Sequence, residues 1–229
     1  VTTLGGRIAV VTGASRGIGA AVAERLRAEG AQVARLARTL RAAARDDGMD
    51  LPCDLTQEDD VRHAAERILG QYGPPDVVVS NAGAFLLRPL EETTTAEFDA
   101  QVAINLRAVF LVARAFLPRM RAGGLHVTIG SVADHVAFAG NVAYAASKYG
   151  VRGLHGALRE EFRGSGIRFT LISPGPTDTS LWDPVRPDER EGFVPRRRML
   201  RPQDVAEAVV FAATRPAHVE IDWLRLHPC

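Results

Sequence analysis

The sequence predicts an α/β fold, a mostly parallel, doubly wound sheet with helices on both faces. Three observations predict it. Short, near-continuous apolar runs alternate along the chain with stretches of helical period, the pattern of strands buried on both faces. A glycine-rich turn separates the first apolar run from the first helical stretch. No linker or shift of composition divides the 229 residues. One domain over residues 1–229 is therefore expected, long enough to bury a sizeable core.

The elements follow in order. Residues 7–12 read as a buried strand, and residues 18–29 as a helix that stops at Gly30. Residues 32–37 are the second strand and 49–53 a weak third. Residues 58–72 form an amphipathic helix, stopped by Gly73-Pro74-Pro75. Residues 76–80 are a strongly apolar strand. A long helical stretch covers 95–121, with Pro118 marking a kink or an end. Strand 125–130, helix 143–163 and strand 167–173 follow, the last closed by Pro174-Gly175. A helix over 203–214 and a short strand over 221–226 complete the chain. Two irregular stretches remain, 134–141 and 177–200. The second is long for a connection and reads as a substrate-binding loop or lid.

Composition narrows the function. Apolar residues make up 46%, charged residues 24%, and the net charge is +1. These are values of an ordinary globular protein, with no call for nucleic acid or a membrane surface. The run Arg196-Arg197-Arg198 lacks interleaved aromatics and reads as part of a solvated lid or subunit contact. Two distant cysteines, Cys53 and Cys229, make no disulfide framework, and the histidines lack metal-ligand spacing. No metal is expected. With no signal-like N-terminal segment, the expected location is cytoplasmic.

The turn is Thr12-Gly13-Ala14-Ser15-Arg16-Gly17-Ile18-Gly19. A glycine turn at a helix N-terminus lets backbone amides approach a pyrophosphate. An acid normally ends the second strand and binds the ribose of NAD, yet here the residues are Leu36-Ala37-Arg38-Thr39. Arg38 and Arg16 suit a 2′-phosphate instead. NADP(H) is the preferred cofactor, with NAD(H) as the alternative.

Of the 28 basic residues, 27 are arginine and one is lysine, Lys148. Lysine is a compact ammonium and not a planar fork. Tyr144 lies four residues earlier, on the same helical face. A neighbouring ammonium stabilises phenolate, so a Tyr144 pKa below its ordinary value is expected, making it an acid/base candidate.

These motifs, with others in matching order, resemble the short-chain dehydrogenase/reductase family. The others are Asp54-Leu55, Asn81-Ala82-Gly83, Asn105, Ser131, and Pro174-Gly175 with Thr177 and Thr179. The resemblance covers nearly the whole chain. It implies a Rossmann-like, seven-stranded sheet in the order 3-2-1-4-5-6-7. It also implies roles. Tyr144 would be the acid or base and Lys148 its partner on the nicotinamide ribose. Ser131 would orient the substrate carbonyl, and Asn105 would hold a relay water. Gly13, Ser15, Arg16, Gly17, Ile18 and Gly19 would carry the pyrophosphate, and Arg38, Asp54 and Leu55 the adenosine end. Asn81, Ala82 and Gly83 would floor the site. Pro174, Gly175, Thr177 and Thr179 would flank the nicotinamide.

The chain departs from the family pattern in three places. Thr177 stands where a branched apolar residue is usual. Residues 39–45 leave room for two helical turns at most, so the helix usual there is shortened or absent. The ending 219–226 resembles the branch containing 3-hydroxy acid and serine dehydrogenases and carbonyl reductases. The function implied is an NADP(H)-dependent interconversion of a ketone and a secondary alcohol on a small-molecule substrate. The alternatives are a 3-oxoacyl-acyl-carrier-protein reductase and a non-catalytic dinucleotide sensor. The resemblance further implies a homodimer or homotetramer. Trp182, Phe193 and residues 133–138, ending at Phe138, are the expected pocket walls.

Overall fold

In a computed structural model that describes residues 3–229, one eight-stranded sheet runs through the molecule. Its strands are β1 (Ile8–Thr12), β2 (Gln32–Leu36), β3 (Ala43–Arg45), β4 (Gly48–Leu51), β5 (Val77–Ser80), β6 (Leu125–Ile129), β7 (Arg168–Pro174) and β8 (Trp223–Leu226). The spatial order is β3-β4-β2-β1-β5-β6-β7-β8. All pairs are parallel except β3 with β4. The helices are α1 (Gly17–Ala28), α2 (Glu58–Tyr72), α3 (Thr95–Val102), α4 (Ala108–Phe116), α5 (Val142–Glu161) and α6 (Pro202–Ala213).

The alternation of side chains along each strand divides the core in two. Ala9 and Val11 of β1 face α1 and α6, with Val33, Val79 and Val127. Val10 faces the opposite layer, where Leu36, Val78 and Phe169 meet α2 and α4. The helical run Thr95–Arg119 has the length and hydropathy of a membrane span. Here it is a core helix: Val109, Leu111, Val112 and Phe116 are all buried. Pro118 marks an end and not a kink, since α4 closes at Phe116 into a short 3-10 turn.

The expected sheet of seven strands is corrected to eight. The added strand, β3, occupies the segment too short for a helix. It folds back on β4 as an edge hairpin, pairing Ala44 with Met49 and Arg45 with Gly48. Without a helix above them, β2 and β4 would expose apolar side chains on the α1 face. Those positions instead hold Arg35 and Asp50, directly opposed in the register. Arg35 Nε donates to Asp50 Oδ1 at 2.6 Å, and Arg45 Nε donates to Oδ2 at 2.8 Å. Arg27 approaches the same carboxylate at 3.9 Å from α1. Burial pushes the Asp50 carboxyl up, but the bonds from Arg35 and Arg45 outweigh it and hold the group below its usual range.

Breaking a buried cluster of this kind leaves charges unpaired, which costs far more than the pair contributes. Asp50→Ala should therefore lower the unfolding free energy by about 3 kcal/mol. Urea denaturation of the variant against the parent checks this.

Candidate active site

The C-terminal ends of the parallel strands carry the predicted residues. The turn after β1 is the first. Gly13 and Gly17 have φ of 65° and 57°. A Cβ at Gly13 would lie 2.8 Å from Ala82 Cα, and one at Gly19 would lie 2.4 Å from the Gly13 carbonyl oxygen. The turn can close against the next loop only because these positions lack side chains. Asn81 locks the closure. Its Nδ2 donates to the Thr12 carbonyl at 2.9 Å, and the amides of Asn81 and Ala82 donate to Thr12 Oγ1 at 2.9 and 3.2 Å. Ser15 and Arg16 are exposed at the mouth of the turn, while Ile18 packs on the core.

Opposite this turn lies the segment after β7. A Cβ at Gly17 would come within 3.2 Å of Thr179 Cγ2, so the two loops form the walls of one crevice. Pro174 ends β7, and Gly175 donates its amide to the Leu226 carbonyl at 2.8 Å. Thr177 is buried, with its hydroxyl on the Gly175 carbonyl at 3.0 Å. Farther along the strand ends, Arg38 is exposed just past β2. Asp54 accepts from the amide and hydroxyl of Thr56 at 3.0 and 2.7 Å. Burial raises its pKa, but the Thr56 donors and the Arg38 charge prevail and lower it. The Leu55 side chain is buried in the core, so that residue can meet a ligand only through its backbone.

Ser131, Tyr144 and Lys148 come together as the sequence predicts. The Ser131 hydroxyl reaches the Tyr144 phenol. Lys148 is 5% exposed; its Nζ donates to the Ile129 carbonyl at 3.2 Å and stands 5.8 Å from the centre of the Tyr144 ring. The expected fall in the Tyr144 pKa is not found. Burial pushes the phenol up to about 12, with only the neighbouring Ser131 hydroxyl opposing it. The ammonium lies toward the ring and is turned to a backbone carbonyl, so helical spacing alone misjudged the direction. Burial also brings Lys148 down to about 8.

Asn105 is buried within a π-turn (Ala103–Arg107) joining α3 to α4. Turns of this type often mark functional sites. Its Oδ1 accepts from the Ala84 amide at 2.9 Å, and its Nδ2 lies 3.0 Å from both the Ala84 carbonyl and Ser147 Oγ. Ser147 in turn donates to the Tyr144 carbonyl at 2.7 Å. A Cβ at Gly83 would sit 2.8 Å from Asn105 Oδ1 and 3.8 Å from Lys148 Nζ, so the glycine keeps the space between them clear.

Two features escaped the sequence reading. Phe85 stands edge-on to Tyr144, with ring centres 4.9 Å apart, and reaches Trp182 at 5.1 Å. Trp182 then meets Phe193 at 6.4 Å. The expected wall residue Phe138 is 43% exposed and its ring makes no aromatic contact among the described residues. Asp134, expected only within an irregular stretch and the 133–138 pocket wall, is fully buried beside Ser131. Its neighbour Gly130 was the available signal, a small residue immediately before the serine. In the 177–200 segment, Arg196 folds back on Asp178 at 2.9 Å and on Asp183. Arg197 and Arg198 stay exposed.

A family model described as short chain dehydrogenase matches residues 7–190. The chain belongs to the short-chain dehydrogenase family. A D-threitol dehydrogenase of Mycolicibacterium smegmatis is 37% identical, over 93% of this chain and 88% of that one. Among solved structures, an alcohol dehydrogenase from the archaeon Thermococcus sibiricus complexed with 5-hydroxy-NADP superposes with a TM-score of 0.84. It is 28% identical, over 97% of this chain and 96% of that one. A metagenomic short-chain oxidoreductase in complex with NADP gives a TM-score of 0.80 at 33% identity, covering 99% of each chain. As a short-chain dehydrogenase, the protein is an oxidoreductase acting on CH–OH groups with a nicotinamide dinucleotide.

Proposed function

We propose that this short-chain dehydrogenase interconverts a ketone and a secondary alcohol using NADP(H), with Tyr144 as the acid/base. The meeting of Ser131, Tyr144 and the single, buried Lys148 beside the glycine turn carries the reading. The crevice fits a dinucleotide, because Gly13, Gly17 and Gly19 leave the room that side chains would fill. When bound, NADP(H) supplies the hydride and the protein supplies position and a proton. Arg16 and Arg38 make no salt bridge among the described residues, whereas Arg7, Arg25, Arg35 and Arg159 all do. Two unspent guanidinium groups at the adenosine end suit a 2′-phosphate.

Ser131 orients the carbonyl oxygen, and Tyr144 protonates it during reduction. A phenol near 12 keeps its proton at neutral pH, which suits the donor. Lys148 holds the ribose end of the site and returns protons through the clear space at Gly83. The side-chain nitrogen of Asn105 is spent among Ala84, Gln101 and Ser147, so a relay water falls to its remaining oxygen lone pair or its main-chain carbonyl. Phe85, Trp182 and Phe193 wall the pocket in one domain whose residues 177–200 act as a lid. The similarity to a D-threitol dehydrogenase supports a small polyol or its ketose as substrate. A reducing, cytoplasmic setting agrees with Cys53 and Cys229, both free thiols.

The test is turnover of NADPH with a panel of small ketoses and ketones. Activity is expected, and Tyr144→Phe should lose about a thousandfold or more in kcat. No turnover by the parent, or a fully active Tyr144→Phe, sinks the reading. The raised phenol also sets a pH dependence. Alcohol oxidation needs phenolate, so its rate should climb with pH through the alkaline range until the fold is lost. Ketone reduction, which uses the protonated phenol, should show no such climb, as initial rates in both directions will show.

For the cofactor, NADPH should outperform NADH, and Arg38→Ala should raise the KM for NADPH about tenfold or more while sparing NADH. Equal use of both dinucleotides by the parent refutes the preference.

We also propose a homodimer or homotetramer. The α3–α4 and α5 surfaces leave Phe98, Phe110, Val142 and Tyr149 exposed, and light scattering should give two or four times the 24.7 kDa chain mass.

A further inference from the structure

The short turn after β6 holds a buried carboxylate that the reaction as proposed does not use. Asp134 is 0% exposed and lies three residues after Ser131. Its Oδ2 accepts from the Ser131 amide at 3.1 Å and from the Ser173 hydroxyl at 2.6 Å. Its Oδ1 faces His135 Nδ1 at 2.7 Å. Ser173 is itself oriented from β8, where Trp223 Nε1 donates to its Oγ at 2.8 Å. The indole can only donate and the carboxylate can only accept. The direction of the chain is therefore fixed, running from Trp223 through Ser173 to Asp134.

The fold makes room for this group. A Cβ at Gly130 would fall 2.2 Å from Asp134 Oδ2. Any larger residue there would expel the carboxylate. The Ser131 hydroxyl also accepts from the Ala133 amide at 3.2 Å, so the turn grips both ends of the serine.

We propose that Asp134 is a positioning residue of the active site, fixing Ser131 against Tyr144 and serving as the buried counter-charge of Lys148. The proposal rests on the reading of Ser131, Tyr144 and Lys148 given above. Two charges of opposite sign support each other strongly where water is excluded. The Asp134 charge favours the protonated forms of both Lys148 and Tyr144. The other groups around it are accounted for. His135 lies on its own turn; His155 and Arg152 come from α5, and Arg152 stacks on Trp223 at 4.6 Å. Arg225 and Asp222 come from the β8 side, Arg225 stacking on Trp223 at 5.0 Å. None of these is the buried acceptor of Ser131.

The lone lysine makes a direct test practical. Isotope-labelled lysine incorporated into the whole chain gives one side-chain signal, that of Lys148. In the parent that signal should titrate at about 8. Asp134→Asn keeps the shape but removes the charge, and the midpoint should drop by about one pH unit. Its kcat for ketone reduction should fall about tenfold to a hundredfold with KM within about twofold. Ser173→Ala keeps the charge and loosens one bond. It should leave the lysine midpoint in place and lower kcat by only a few-fold. An unmoved midpoint or an unchanged kcat in folded Asp134→Asn overturns the proposal. Should that variant not fold, an unchanged kcat in Ser173→Ala overturns it. A parent without any ketone turnover defeats the functional reading instead, and the lysine midpoint still decides whether Asp134 is its counter-charge.

Discussion

Lys148 holds its ammonium in a place where only 5% of the residue meets solvent. Its one hydrogen bond among the described residues is to the Ile129 carbonyl at 3.2 Å. Placing a charge there costs several kcal/mol unless other groups offset it. Much of the surrounding structure can be understood as that offset. The strand-end carbonyl of β6, the quadrupole of the Tyr144 ring and the buried carboxylate of Asp134 all favour the charged form. Arginine could not take this position. Its fork would need several acceptors in one plane, and the end of β6 presents a single carbonyl.

The same economy governs the polar groups nearby. Parallel strands end in loops, and loops that pack closely leave backbone groups to be satisfied. Thr12 and Asn81 join the ends of β1 and β5. Asn105 and Ser147 join the loop after β5 to α5. Asp134 and Ser173 join β6 to β7, and Trp223 brings in β8. Each link uses a side chain whose donors and acceptors are nearly all spent. Ser131, Tyr144 and Lys148 thus stand on a hydrogen-bonded rim, which is what the proposed placement of a proton donor requires.

What the sequence revealed follows from which signals are local. Apolar runs and glycine turns are written in neighbouring residues, so the strands, the crevice and the pairing of Tyr144 with Lys148 were legible. Burial is a property of the whole fold. Spacing of four residues on a helix says that Tyr144 and Lys148 share a face. It does not say that Nζ turns toward Ile129 while the half-buried phenol gives up much of its solvation, and the direction of the tyrosine shift was therefore misread. The role of Asp134 was missed for the same reason. Its partner Ser173 is 39 residues away, and only the register of β6 on β7 brings them together.

The hairpin at the sheet edge shows how a local shortage is resolved by distant chemistry. Residues between β2 and β4 are too few for a covering helix, so the chain pairs back on itself through β3. The sheet face left uncovered is then made polar and not apolar, with Arg27, Arg35 and Arg45 gathered on Asp50. This arrangement also decides where free positive charge remains. The arginines beneath the edge are neutralised by Asp50 and Asp47. Arg38, two residues beyond the apolar end of β2, meets the Asp54 charge only at a distance. In a chain so rich in arginine, pairing at the sheet edge removes the cations of β2, β3 and α1 from those a ligand could meet. Arg16 and Arg38 are among the arginines left without a salt bridge among the described residues, and the proposed 2′-phosphate contact draws on these two.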